Sequence, residues 1–294
     1  MTVRKRVAGR EVTRSGRKHK PIAQRLGRGA VVGLIVVVAA FPLYWLLISS
    51  LKPSTRLGEV ALIPSSVTFE NYIAAFDTQI PRWLLNTFGI ALLTTLLGVS
   101  VAALAGFGFA RYRFRGRSVL FGMVLASLAI PEYALVLPQF TIMRQFGLLN
   151  TWAAVILPLA ANALVLFLLR QYFSQLPEEL FDAARLDGSG EFRLFWTVAV
   201  PLVRPGLGAA GLLLFLNAWN AYLLPLVMLT NSDQFTMPIG LAFLHSQLNF
   251  GIVETSPWGA ITAGTVISIV PLILCLLVMQ RQFIGSLTAG AVKA

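Results

Sequence analysis

The sequence has little charge, cysteine or histidine. Only 12% of its 294 residues are charged, against roughly 25% in a soluble domain. With 56% hydrophobic residues and a mean hydropathy of +0.74, the chain has the composition of an integral membrane protein. Its single cysteine, Cys275, excludes a disulfide within the chain, and there is no Cys-x-x-Cys pair to hold a metal. The two histidines are far apart, His19 in a basic tail and His245 in a loop, and neither has a partner at ligand spacing. The Gly-x-x-x-x-Gly-Lys-Ser/Thr phosphate loop is also absent, so any ATP chemistry must come from another chain. Acidic residues number twelve, half the 24 lysines and arginines.

Long apolar runs fill the rest. Six approach the ~20 residues needed to span a bilayer: about 29–50, 84–110, 119–141, 151–170, 206–230 and 260–280. The net charge of +12 raises nucleic acid as a partner, but its distribution points elsewhere. With the N-terminus in the cytoplasm, the inner segments carry ten Lys and Arg before residue 29, four in 111–117, four in 170–204 and two after 280. The outer segments carry only Lys52, Arg56, Arg82 and Arg144. This is the positive-inside pattern, with both termini cytoplasmic. The basic excess reports orientation and contact with anionic lipid.

One stretch breaks the apolar character: Pro177 to Pro205 holds five of the twelve carboxylates, Glu178, Glu179, Asp182, Asp187 and Glu191. It reads as helix, turn, helix. Pro177 suits a first helical position, and Glu178 and Glu179 suit a first turn. Leu180, Ala183 and Ala184 form one apolar face, Gly188 suits a left-handed helix stop, and Ser189 can cap the next segment. Phe192, Phe195 and Trp196 supply bulk there, and Pro201 and Pro205 end it. On pattern alone two readings stand: a docking element, or an amphipathic helix on the lipid surface.

The same stretch resembles the EAA loop of binding-protein-dependent ABC importer permeases. Asp182-Ala183-Ala184 is followed at the family's spacing by Gly188, then nine residues later by Val198, Val200 and Pro201. Asp182 replaces the usual glutamate. Asp187 and the Pro201-Leu202 and Arg204-Pro205 pairs resemble the carbohydrate-importer branch (maltose type, smaller permease). So do Ser50-Leu51-Lys52-Pro53 after the first span, Asn71-Tyr72 with Phe76 before the second, and Leu287-Thr288 with Gly290 to Lys293 in the tail.

The resemblance implies an all-α, six-helix type I (MetI-like) permease fold in a bacterial inner membrane, with cytoplasmic coupling helices. It implies a basic tail over 1–28, a permease domain over 29–281 with its coupling loop at 171–205, and a cytoplasmic tail over 282–294. The implied partners are a second permease, two copies of a P-loop ATPase that carries ATP and Mg, and an external sugar-binding protein. The chain itself would hold no cofactor and no catalytic residue. Its ATPase-coupling residues would be Glu178, Glu179, Asp182, Ala183, Ala184, Asp187, Gly188 and Pro201.

Candidate pathway residues sit in two spans. Glu132 follows Pro131 in the third, where a carboxylate at membrane depth marks function by default or lies near the outer rim, wet or protonated. Asn217, Trp219, Asn220 and Tyr222 lie in the fifth; amides hydrogen-bond sugar hydroxyls and aromatic rings stack on sugar C–H faces. The family places an acidic residue after the Trp-Asn pair, where this chain has Ala221. The bland alternative is that these amides bond neighbouring helices. Gly98, Ala102, Ala103, Ala105, Gly106 and Gly108 favour close packing of the second span. Prolines in five of the six spans suggest kinked helices around a cavity. Other readings are an ABC permease for glycerol phosphate or another polyol, amino acids or peptides; a secondary transporter, which should show paired charges in the spans and an internal repeat; and a basic scaffold binding RNA or lipid through residues 1–28.

Overall fold

Residue Ile80 begins the helix against which many of the later helices pack. A computed structural model describes residues 22–53, 61–64, 66–249 and 258–291, and among them the regular structure is helical, with no strand. The N-terminal residues expected as a basic tail lie largely outside the described residues. α1 (Ile22–Leu51) nevertheless begins inside that expected tail and carries Pro42 without a break. Two units are present, Met1–Leu46 and Leu47–Ala294. The first, over its described residues, is the greater part of α1, apolar and long enough to cross a membrane.

In the second unit α2 (Glu70–Phe76) precedes α3 (Ile80–Arg111). At 32 residues, α3 is about 48 Å long at 1.5 Å per residue. Three buried clusters lie along it in order: Ile80 and Trp83 in the first, Ile90 and Ala91 in the second, Ala102, Ala103 and Phe107 in the third. Small residues permit this packing. A Cβ on Gly98 would lie 2.9 Å from the carbonyl oxygen of Ala160, and one on Gly106 would lie 3.0 Å from the backbone nitrogen of Arg170. Gly108 has no such neighbour, so it does not belong to the packing face.

The expected third span is not one helix. α4 (Arg117–Ser127) and α5 (Glu132–Gln145) meet at 106°. Pro131 is the reason, because it excludes the residue before it from the helical region. The fourth is also bent: α6 (Trp152–Ala160) and α7 (Ala163–Ser174) meet at 45°, just beyond Pro158. The fifth runs as α11 (Arg204–Asn220) and then α12 (Leu223–Met228). Pro225 has no N–H for the carbonyl of Ala221, and the helix breaks there. Between α7 and α11 lie α8 (Glu179–Leu186), α9 (Glu191–Leu194), a π-helical turn (Phe195–Ala199) and α10 (Val200–Leu202). The segment Glu191–Leu202 leaves α11 at 80°. Among the described residues three helices are long and apolar enough to cross a membrane, and the bent pairs raise the number to six if each is one span.

Between the expected fifth and sixth spans lies α13 (Met237–Asn249), so His245, expected in a loop, is helical, its ring edge-on to Trp258 at 5.0 Å. The last helix, α14 (Trp258–Ala291), runs through Pro271 and continues into the stretch expected as a separate tail.

Polar contacts fasten the turns near the Ile80 end of α3. Trp83 Nε1 donates to the Ser232 carbonyl at 2.8 Å, and Asn86 Nδ2 donates to the carbonyls of Asp233 and Phe235, both at 2.9 Å. Met237 N donates to Thr87 Oγ1 at 2.7 Å. Asn150, at φ 60°, accepts from the amides of Thr230 and Asn231. The two sequence motifs around residues 50 and 71 also meet. Buried Asn71 donates to the carbonyls of Ser50 and Lys52 at 2.8 and 2.7 Å, and Tyr72 Oη pairs with Ser50 Oγ at 2.8 Å.

Gly259 lies against Asn71: a Cβ there would come within 1.9 Å of Asn71 Oδ1. Gly259→Ala is therefore expected to displace Asn71 and cost about 2 kcal/mol. Thermal unfolding of detergent-solubilised protein measures it, and an unchanged midpoint would refute the contact.

Candidate functional site

Two sites emerge, a cleft among the broken helices and the polar loop after α7. The cleft has a volume of about 950 Å³. All three mid-span helix breaks reach it: Ile130 and Pro131 from the first, Ala161 and Asn162 from the second, Ala221 and Tyr222 from the third. Backbone groups released from helical pairing are tolerated at membrane depth only beside protein or a wet cavity. Broken helices meeting at one cavity are the arrangement transporters use for substrate.

Of the pathway residues expected from sequence, Glu132, Asn217, Asn220 and Tyr222 line the cleft. Trp219 does not. It is 3% exposed and stacks on Phe215 at 5.4 Å inside the core. Asn217 and Asn220 share a face at i, i+3, and Trp219 points the other way. Asn220 Nδ2 donates to the Leu216 carbonyl at 2.8 Å, leaving its oxygen for other donors. Glu132 lies in the first turn of α5. Two lining amides were not singled out from sequence, Gln139 and Asn162. Asn162 caps α7, accepting from Val165 N at 3.1 Å. The signal for it was an amide amid small residues, Ala160-Ala161-Asn162-Ala163, downstream of Pro158.

In the loop, Gly188 stops α8 as its position suggests, at φ 80°. Ser189 N donates to the Ala184 carbonyl and Gly188 N to the Arg185 carbonyl, both at 3.0 Å, which is a Schellman ending. Two local expectations shift. Pro177 precedes Glu178, the N-cap, instead of taking the first helical position, and Gly190 caps α9 in place of Ser189. Pro201 cannot donate to the Thr197 carbonyl, and the backbone before it widens into the π turn.

The loop is anchored on one side and open on the other. Phe181, Leu194 and Phe195 are buried. Phe107 of α3 lies among them, 6.1 Å from Phe181 and 5.2 Å from Phe195. Facing out are Leu180, Leu186 at 89% exposure, Phe192 at 74% and Trp196 at 52%. Ala183, Glu178, Glu179, Asp182, Asp187 and Gly188 are exposed beside them, and Pro201 is half-buried at the far end.

Charge organises the same region. Arg185 donates from Nε to Glu191 Oε1 at 3.0 Å and from Nη1 to Asp182 Oδ1 at 3.1 Å. Tyr112, just past the end of α3, donates from Oη to Glu191 Oε2 at 2.6 Å. The bonds from Arg185 and Tyr112 hold the Glu191 carboxyl below its ordinary range. Partial burial, then the bond to Glu191, pushes the Tyr112 phenol up to about 12. Arg111 donates through Nη2 to the carbonyls of Phe173 and Leu176, its guanidinium 4.1 Å from the centre of the Phe181 ring. Arg111, Tyr112 and Arg185 were legible in sequence only as basic and aromatic residues near a turn.

Broken apolar helices around a polar cleft, with an anchored polar loop at one end, define a membrane transport subunit. Residues 96–287 match the family model described as the binding-protein-dependent transport system inner membrane component. The arabinooligosaccharides transport system permease protein of Halalkalibacterium halodurans is 39% identical over 265 residues, covering 88% of this chain and 93% of that one. The trehalose transport system permease protein of Mycobacterium tuberculosis is 37% identical over 275 residues, covering 92% and 99%. A crystal structure of a bacterial ABC transporter involved in import of the acidic polysaccharide alginate shares the fold. Its TM-score is 0.79 at 21% identity, over 90% of this chain and 98% of that one. This chain belongs to the family of binding-protein-dependent transport system inner membrane components. It is a multi-pass membrane permease that serves transport and is not an enzyme.

The Tyr112–Glu191–Arg185 link has a defined pH window. The depressed Glu191 contributes above the ordinary carboxylate value of 4.5, and that contribution is lost as pH falls through the lower folded value. The raised Tyr112 contributes below its ordinary 10.0, and that contribution is lost as pH rises through about 12. A difference ultraviolet titration, native protein minus Tyr112→Phe, is expected to show one phenol ionising near 12. A difference curve centred at 10.0 would show that the bond is not made.

Proposed function

We propose that this chain is a permease subunit of a carbohydrate-importing ABC transporter, and that Pro177–Pro205 is the surface on which a separate ATPase docks. The observation that carries the docking assignment is the two-faced loop. Phe181, Leu194 and Phe195 fix it to the core, while Leu186, Phe192 and Trp196 stand exposed beside carboxylates. A lipid-surface helix would present basic residues around its apolar face, and α8 instead carries Glu179 and Asp182 in its first turn. Glu178, Glu179, Asp182, Ala183, Ala184, Asp187, Gly188 and Pro201 form or shape the docking face. Asp182 is engaged by Arg185, so its role is to hold the loop's form before it meets a partner.

In this reading ATP and Mg belong to the partner ATPase, present in two copies, and a second permease completes the pathway. An external binding protein delivers the sugar. The loop faces the cytoplasm with both termini, supported by the Lys and Arg distribution. The pathway runs through the cleft, where Asn217, Asn220 and Tyr222, joined by Gln139 and Asn162, offer amide and phenol partners to hydroxyls. Relatives named for arabinooligosaccharide, trehalose and lactose transport support a carbohydrate substrate.

The test is a mild-detergent pull-down of tagged protein from native membranes, with partners identified by mass spectrometry. A P-loop ATPase and a second permease are expected to co-purify, and recovery of the chain alone in good yield would overturn the reading. Gly188→Pro forces a residue locked near φ −65° into a position at +80°. It is expected to reduce ATPase co-purification at least tenfold while the protein still inserts.

A further inference from the structure

The docking loop is joined to α7 and α11 through weak links, a non-helical turn at Gln175–Glu178 and the 80° break at Val203. Force entering α8 would be dissipated at such joints unless the loop were held elsewhere. The structure supplies that hold at the end of α3. Arg111 and Tyr112 are adjacent in sequence, and they grip opposite sides of the loop. Arg111 fastens the turn before α8 through the Phe173 and Leu176 carbonyls and lies over the Phe181 ring of α8. Tyr112 holds Glu191 of α9, whose second oxygen holds Arg185 of α8. One carboxylate therefore ties both docking helices to α3.

We propose that Arg111 and Tyr112 are positioning residues that make α8, α9 and α3 move as one body, so that displacement of the docking loop is passed to α3 and not absorbed at the loop's ends. The proposal rests on the docking reading above. α3 is suited to carry the displacement, because it runs unbroken through all three buried clusters. Its other end holds residues 232–237 through Trp83, Asn86 and Thr87. Lysine is a poor replacement for Arg111, since it lacks the flat guanidinium that lies over the Phe181 ring while one nitrogen serves both carbonyls.

The test uses the assembled importer in nanodiscs, with MgATP as the only added ligand. Nitroxide labels at Ser100→Cys on α3 and Ser189→Cys in the loop, in a Cys275→Ser background, report the distance between the two by double electron–electron resonance. Without further change the distribution is expected to be narrow and to stay in place when MgATP is added. Tyr112→Phe keeps the ring beside Phe107 and removes only the hydroxyl. It is expected to broaden the distribution about twofold and make it shift with MgATP. Glu191→Ala, which also frees Arg185, should broaden it at least as much, and the double variant should be no broader than Glu191→Ala alone, because Tyr112 acts only through that carboxylate.

An undisturbed distribution in Tyr112→Phe would overturn the proposal. So would additive broadening in the double variant, or an MgATP-driven shift between the labels with the link intact. Loss of the ATPase from the wild-type complex would instead overturn the docking reading. The broadening by Tyr112→Phe would then still be read on the permease alone.

Discussion

A backbone N–H or carbonyl in lipid must find its partner within the protein, and this requirement shapes the whole molecule. An unbroken helix satisfies it everywhere, and a broken one only where protein or water takes over. The chain separates the two cases. α3 stays continuous over its 32 residues and meets the other helices through small side chains. The breaks near Pro131, Asn162 and Tyr222 come from three different parts of the sequence, yet they open onto one cleft. These three breaks gather where polarity is useful, beside a helix that stays continuous.

The two ends of α3 use different chemistry for related tasks. At the Ile80 end, side chains of the helix donate to backbone carbonyls of residues 232–235, and Arg82 pairs with Asp233 at 3.3 Å on the surface. That exposed ion pair adds little by itself; the fixed carbonyl partners give the geometry. At the Arg111 end, aromatic packing around Phe107 supplies the apolar anchor, and the Tyr112–Glu191–Arg185 relay orders the exposed side. Leu186, Phe192 and Trp196 stay exposed on that side, while Asp182 and Glu191 are held by Arg185.

What could be read from the sequence was local. Gly188 is legible because a helix stop depends on a few neighbouring residues, and its Schellman bonds span only 184 to 189. The spans are legible because bilayer thickness sets their length. Trp219 was misplaced for a physical reason: α11 is apolar around most of its circumference, so periodicity does not show which face meets the cleft. The bend at Pro131 is a local event, but its 106° angle is set by how α4 packs on α7 and α5 on α12. Tyr112 and Glu191 are 79 residues apart, and only the folded chain brings them together.

The bend at Pro131 also governs how the protein enters a bilayer. α4 has 11 residues and α5 has 14, about 17 and 21 Å of helix against a hydrocarbon core of roughly 30 Å. Neither can cross alone, and at 106° the two do not add up to a straight crossing. Their resting places depend on α7 and α12, which are synthesised afterwards. In the folded protein the placement of residues 117–145 is therefore tied to helices that come later in the chain.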